Sequence, residues 1–209
     1  MLHTIFFDLD NTLYSRDCGV WEAINDRINL YIETILQINK NEIQELRIYC
    51  RENYSTSLRG LQSLYDIDAY EYLDFVHDID LDSILSSNYT NLSNMLSELP
   101  QRKIIFTNSD TNHAHKVLNA LGISDFFEAV IDVIAIQPFV KPHSEAFKKA
   151  LSLSDLKSSE GCAFIDDMIE NIEQAQKMGF LSILIGDNED KYLSISDILK
   201  LPDLLSTFG

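Results

Sequence analysis

The chain has 209 residues, 45% of them hydrophobic, with 33 acidic against 16 basic side chains and a formal net charge of −17. That length and apolar content give one sizeable core, or a core plus a small insert. The charge argues against a general binder of nucleic acid or anionic membrane, whose phosphates it would repel, but not against a small phosphorylated ligand, because a bound metal inverts the local field.

The first segment, His3 to Tyr14, runs from apolar residues into Asp8-Leu9-Asp10. It reads as a buried parallel strand whose carboxyl end delivers charge to a crevice. The plainer reading is a strand ending in an Asx turn at Asp10-Asn11. The period then changes from 2 to 3.6. Val20, Trp21, Ile24, Ile28, Tyr31, Ile35 and Ile38 form one helical stripe, broken at Asn39-Lys40-Asn41. A second helix carries Ile43, Leu46, Tyr49 and Cys50 on its apolar side, and a shorter one surrounds Gly60. Asp68 caps a further helix running through Val76. The spacing predicts no strand between Tyr14 and about Ser87.

From Asn88 the pattern returns to alternating strands and helices. Leu92–Leu99 is helical and ends at Pro100. Lys103–Thr107 is an apolar strand, Thr111 caps a helix closed by Gly122, and 129–136 is strand-like. Pro142 sits in the first turn of a helix that buries Ala146, Phe147 and Ala150. Gly161–Asp167 is a strand ending in paired acids, followed by a helix closed by Gly179 and a last strand at 181–185. The remaining tail is acidic, then short and helical. This alternation predicts an α/β doubly wound parallel sheet of Rossmann type, with residues 1–14 and 88–209 forming the core and 15–87 a helical block inserted after the first strand. Cys18, Cys50 and Cys162 are odd in number and have no CxxC spacing, as reduced thiols in a cytoplasmic protein would be. The expected chain has neither a leader peptide nor a membrane span.

In such a sheet ligands bind beyond the carboxyl ends of the strands. Asp8 and Asp10, Thr107 and Asn108, and Asp166 and Asp167 stand at three such ends, and Lys141 precedes a helix. Each has a bland explanation in turn formation or helix entry. Their common placement points instead to phosphoryl transfer, in which a carboxylate attacks phosphorus and cations neutralise charge. Hard oxygen ligands select Mg²⁺.

Asp8-Leu9-Asp10-Asn11-Thr12, then Thr107, Lys141 and Asp166-Asp167, resembles the four-motif series of the haloacid dehalogenase superfamily, with the helical block in the position of a type-1 cap. The resemblance implies roles. Asp8 is similar to the nucleophile and binds Mg²⁺ through its other oxygen. Asp10 matches the general acid/base, with its backbone carbonyl on the metal. Thr107 and Asn108 match the groups that hold the phosphoryl group, Leu9 lies beside it, and Lys141 bridges it to the nucleophile. Asp167 is the implied direct metal ligand, and Asp166 a direct or water-mediated one. The dehalogenases that name the superfamily typically lack the second acid, so Asp10 favours phosphate chemistry over carbon–halogen cleavage.

Residues 6–14, Leu58-Arg59-Gly60-Leu61, Phe106-Thr107-Asn108 and Phe164–Asp167 with Asn171 are further similar to the pyrimidine 5′-nucleotidase group, as is His113-Ala114 with Val117-Leu118. Val140 departs from the Cys of many relatives. This likeness implies a Mg²⁺-dependent hydrolase of nucleoside monophosphates, monomeric or homodimeric. The alternatives are a phosphatase for another small phosphometabolite, a phosphomutase, a phospho-accepting receiver-like domain, or a catalytically silent binding protein. Arg59 is the candidate for substrate contact, with an exposed helix arginine the competing reading. His113 could reach the site from a helix start, with a capped surface histidine the plainer reading, and Tyr14, Trp21 and Tyr54 read as base-stacking or packing aromatics.

Overall fold

In the computed structural model, which describes residues 2–86, 88–186 and 191–208, the strands form one parallel sheet. They are β1 (Thr4–Phe7), β2 (Arg102–Phe106), β3 (Ala129–Ile131), β4 (Cys162–Asp166), β5 (Leu181–Ile185) and β6 (Ser194–Ile195). Their order is β3-β2-β1-β4-β5-β6, so the chain winds outward in both directions from β1, as a doubly wound α/β sheet does. All four residues of β1 are buried, as befits a parallel strand covered on both faces.

Register decides where the charged residues fall. Phe7 lies opposite Ile105 on one side and Ile165 on the other. The next residue, Asp8, donates its N–H to the Ile165 carbonyl at 2.8 Å. Asp8, Thr107 and Asp166 therefore emerge together at the carboxyl edge of the sheet. Beneath them Phe106, Phe147, Phe164 and Phe180 pack edge to face, with ring centroids 5.1–6.3 Å apart. Such contacts add about 0.5–1.5 kcal/mol each beyond area burial.

The described residues divide into two compact units, one of residues up to Asp17 together with those from Leu85 onward, the other Cys18–Ile84. Ser87, at the expected end of the helical block, lies outside the described residues, as do 187–190 of the expected tail.

The Cys18–Ile84 unit is helical among its described residues: α1 (Val20–Thr34), α2 (Lys40–Tyr54), α3 (Ser57–Tyr65), α4 (Ala69–Val76) and α5 (Leu81–Ile84). α1 buries Val20, Ile24, Ile28, Tyr31 and Ile32. Trp21 and Ile35, expected on that stripe, are 41% and 54% exposed: Trp21 sits one residue off the buried face, and the helix ends before Ile35. On α2 Tyr49 is likewise exposed, while Ile43 and Cys50 are buried. Asp68 caps α4 by accepting from the Glu71 N–H at 2.9 Å. At Gly60 the helices α2 and α3 touch. A Cβ there would stand 2.4 Å from the Cβ and Sγ of Cys50 and 2.8 Å from its Cα.

In the other unit the sheet is joined by α6 (Thr90–Glu98), α7 (Thr111–Leu121), α8 (Ser144–Leu153), α9 (Ile169–Lys177) and α10 (Leu201–Ser206). Three local expectations are corrected. Asp110, not Thr111, caps α7, accepting from the N–H groups of Asn112 and His113 at 2.8 and 3.0 Å; Thr111 is held instead by Asp132. Pro142 precedes α8 rather than lying in its first turn, because His143 is the cap residue. β3 stops at Ile131, since Asp132 accepts from the Ala135 N–H at 2.8 Å and turns the chain. Among the described residues no helix is long and apolar enough to cross a membrane.

Gly60→Ala gains helix propensity but forces α2 and α3 apart. The clash outweighs the gain, and the variant is expected to lose about 1–3 kcal/mol of stability. Urea unfolding checks this; an unchanged or raised midpoint would contradict the close approach.

Candidate active site

A short crossover-and-turn segment carries each charged group to the sheet edge. After β1 the Leu9 carbonyl accepts from the N–H groups of Thr12 and Leu13 at 3.3 and 3.1 Å, curling the chain into a turn. That turn buries the Leu9 side chain and leaves only its backbone for any ligand. It also brings the Thr12 hydroxyl to donate to Asp8 Oδ2 at 3.2 Å.

Lys141 is the centre of the site. Its side chain is almost wholly buried, and Nζ donates to Asp8 Oδ1 at 2.6 Å and to Asp166 Oδ2 at 2.7 Å. The ammonium lies 5.2 and 5.4 Å from the ring centroids of Phe106 and Phe164, an arrangement that favours a cation. Asn108 fixes its backbone reciprocally, donating to the Lys141 carbonyl at 3.0 Å and accepting from its N–H at 2.9 Å. Burial pushes the lysine pKa down, but Asp166 and Asp8 outweigh burial and hold it above its ordinary value.

Asp166 is fully buried and also accepts from the Met168 N–H at 2.8 Å and from the Asn171 amide at 3.0 Å on each oxygen. Asp8 is not so well compensated. Desolvation raises its pKa well above the usual carboxylate range; Lys141 opposes this, and Asp166, Asp167 and Asp10 add to it. Asp167 is raised too, by burial and by Asp166, against the opposing pull of Arg16, whose guanidinium donates to Asp167 Oδ2 at 2.8 Å while remaining 65% exposed. Oxygens of Asp8, Asp166 and Asp167 lie within 4.8 Å of one another. Three carboxylates at that spacing repel unless a cation joins them, and an all-oxygen donor set suits Mg²⁺. These residues fit such an ion.

Thr107 is buried at the end of β2, donating its N–H to the Ile131 carbonyl and accepting from the Ser109 N–H, each at 3.0 Å. Asp10 lies beside this group. Burial pushes its carboxyl up, but His113, with hydrogen bonds from His113, Ser109 and Tyr14, holds it well below the usual range. The structure thus brings Asp8, Asp10, Thr107, Asn108, Lys141, Asp166 and Asp167 to one edge. Arg59 belongs to the other unit, where it donates to Gln62 at 2.6 Å and where burial lowers its pKa.

Sequence reasoning missed or misread four residues here. His113, expected at the surface, is fully buried. Tyr14 serves a carboxylate rather than a base. Ser109 and Arg16 drew no notice. The available signals were Tyr14 four residues after Asp10 and His113 three residues after a helix cap. A cavity of about 690 Å³ opens beside Asp167, with Asn11, Arg16, Asn91, Ile185 and Leu199 in its wall.

The sequence profile of the haloacid dehalogenase-like hydrolases matches residues 2–179. The chain is 28% identical to phosphate metabolism protein 8 of Saccharomyces cerevisiae, over 94% of this chain and 70% of that protein. It is 26% identical to the glyceraldehyde 3-phosphate phosphatase of Methanocaldococcus jannaschii, over 98% of this chain and 96% of that one. Among solved structures, YfnB from Bacillus subtilis, determined bound to magnesium, is 17% identical and superimposes with a TM-score of 0.58 over 98% of each chain.

Because burial and the neighbouring carboxylates outweigh the pull of Lys141 on Asp8, while Lys141 keeps Asp166 as a partner, Asp8→Asn is expected to stabilise the metal-free protein. The cost of the ionised Asp8 is full above its raised pKa, shrinks as pH falls below that value, and is gone only below the ordinary carboxylate range. The variant should therefore melt a few degrees higher than wild type in chelator at pH 7.5, roughly 2–4 °C per kcal/mol, with the gap closing on acidification. A lower melting point at neutral pH would show that Asp8 is instead a net stabiliser.

Proposed function

The chain belongs to the haloacid dehalogenase-like hydrolase family, and from its site we propose that it is a cytoplasmic, Mg²⁺-dependent phosphomonoesterase working through an aspartyl-phosphate. The observation that carries this reading is the buried Lys141 shared by Asp8 and Asp166 beside the oxygen cluster of Asp8, Asp166 and Asp167. It is an arrangement that neutralises an incoming phosphate and leaves one carboxylate to attack it. In this reading the unit carrying the sheet is the catalytic core and the helical unit its cap. Three free thiols accord with the compartment.

Asp8, Asp166 and Asp167 would hold the metal, with the Asp10 carbonyl; when bound it supplies charge neutralisation for the phosphoryl oxygens. An Asp8 oxygen forms a bond to phosphorus as the bond to the leaving oxygen breaks. Lys141 and Thr107 steady the transferring group, with Asn108 and Leu9 beside it, and Asp10 gives its proton to the leaving oxygen. Asp10 then takes a proton from water. The water oxygen attacks phosphorus, the bond to Asp8 breaks, and inorganic phosphate departs. Because the free site holds Asp10 ionised, Asp10 first takes up the proton that a phosphate monoanion brings in, passes it to the leaving oxygen, and at the end returns the proton taken from water to the departing phosphate. The cavity beside Asp167 has the volume of a small-molecule site.

A pyrimidine nucleoside monophosphate is the substrate that the motif likeness supports, with Arg59 its contact in the cap. Near full-length similarity to a glyceraldehyde 3-phosphate phosphatase favours a second reading, a triose phosphate.

Phosphate release with Mg²⁺ across UMP, CMP, AMP, sugar phosphates and glyceraldehyde 3-phosphate separates these. A lead of roughly tenfold in kcat/KM, about 1.4 kcal/mol, for UMP or CMP supports the nucleotidase; a lead for the triose phosphate selects the second reading. Removing Mg²⁺, or replacing Asp8 with Asn, should abolish release from a folded protein, and retained turnover in either case would end the assignment. Arg59→Ala should raise KM for the preferred nucleotide more than for p-nitrophenyl phosphate; equal effects would remove Arg59 from recognition.

A further inference from the structure

Asp10 is gripped by three side chains from two stretches of chain, Tyr14 after β1 and Ser109 and His113 after β2. The Tyr14 hydroxyl donates to Oδ1 at 2.5 Å, His113 Nε2 meets the same oxygen at 2.8 Å, and the Ser109 hydroxyl donates to Oδ2 at 2.6 Å. An ionised carboxylate only accepts, so His113 carries its hydrogen on Nε2 in this contact. Each donor is itself anchored. Tyr14 lies one helical turn beyond Asp10, on the segment curled by the Leu9 carbonyl. Ser109 accepts the Val133 N–H on its carbonyl at 3.1 Å. His113 is completely buried, and its backbone N–H is taken by the α7 cap Asp110 at 3.0 Å.

Contacts to both oxygens from three directions fix the plane of the carboxyl group as well as its place. Asp8 and Asp166 are held by a cation; Asp10 is held by a ring nitrogen and two hydroxyls, which set direction at least as much as charge. A group that only balanced charge would not need its plane fixed, whereas one that passes a proton does, because transfer depends on hydrogen-bond reach and alignment. We propose that His113, Ser109 and Tyr14 are positioning residues that orient Asp10 toward the leaving oxygen of the ester. This rests on the acid/base assignment of Asp10 made above.

The proposal has a readout that mere structural support would not move. An alkoxide needs a proton in order to leave, whereas p-nitrophenolate departs without one. In addition, kcat/KM reports the steps up to loss of the leaving group. Tyr14→Phe, Ser109→Ala and His113→Ala are therefore compared with wild type on p-nitrophenyl phosphate and on whichever alkyl phosphate of the panel above the wild type hydrolyses best. Each variant is expected to lose roughly tenfold or more in kcat/KM on the alkyl ester, with a loss at least severalfold smaller on the aryl ester, and His113→Ala should lose most. Equal losses on both esters, or no loss, in variants that melt like wild type would overturn the positioning role. Should His113→Ala fail to fold, Tyr14→Phe, which removes a single oxygen, decides the matter by the same comparison. A wild type that hydrolyses neither ester would overturn the phosphatase reading itself, a result distinct from any pattern among the variants.

Discussion

The ammonium of Lys141, sealed between Asp8 and Asp166, is the interaction on which the rest of the site depends. Desolvating a lysine is costly, and two carboxylates, two aromatic faces and a clamped backbone offset that cost. Those partners come from β1, β2 and β4 and their ends, and Lys141 itself from the segment before α8. The same contact that satisfies the charge therefore holds four pieces of chain in register. It leaves the edge short of positive charge: the clustered carboxylates of Asp8, Asp166 and Asp167 share one buried lysine, with Arg16 contributing from the surface. A second, small and hard cation is what such an imbalance accommodates.

Charge and direction are divided between two sets of partners. Around Lys141 the contacts are ionic and set which groups are ionised. Around Asp10 they are hydroxyls and an imidazole, which set orientation. Ser109 donates its N–H to Thr107 and its hydroxyl to Asp10. A single residue after β2 thus ties the hydroxyl expected to grip a phosphoryl group to the acid expected to move its protons.

Much of this could be read in the sequence because parallel strands covered on both faces are unbroken apolar runs, and a run that ends in Asp or Thr announces where the sheet edge lies. Asp8, Thr107 and Asp166 needed no more than that. Where burial depends on what lies across from a residue, the pattern was silent or misleading. His113 belongs to an amphipathic helix start that looks solvent-facing until Asp10 is opposite it. β6 is two residues long and exists only through its pairing with β5, so no periodicity could show it. Trp21 sits one position from a buried stripe, a difference of about 100° that a list of apolar residues does not resolve. Gly60 read as part of a motif, and its physical reason, the backbone of Cys50 pressed against it, belongs to another helix.

The central place of β1 has a consequence for how the molecule is made. This strand precedes the other described strands, and its two neighbours, β2 and β4, begin only at Arg102 and Cys162. During synthesis at roughly 5–20 residues per second, Thr4-Ile5-Phe6-Phe7 emerges as an apolar segment with both edges unpaired for several seconds before either partner exists. The helices of residues 18–84, built from local contacts, can form in that interval. Asp8 is thus translated well before its surroundings, which are complete only once Asp166 has left the ribosome.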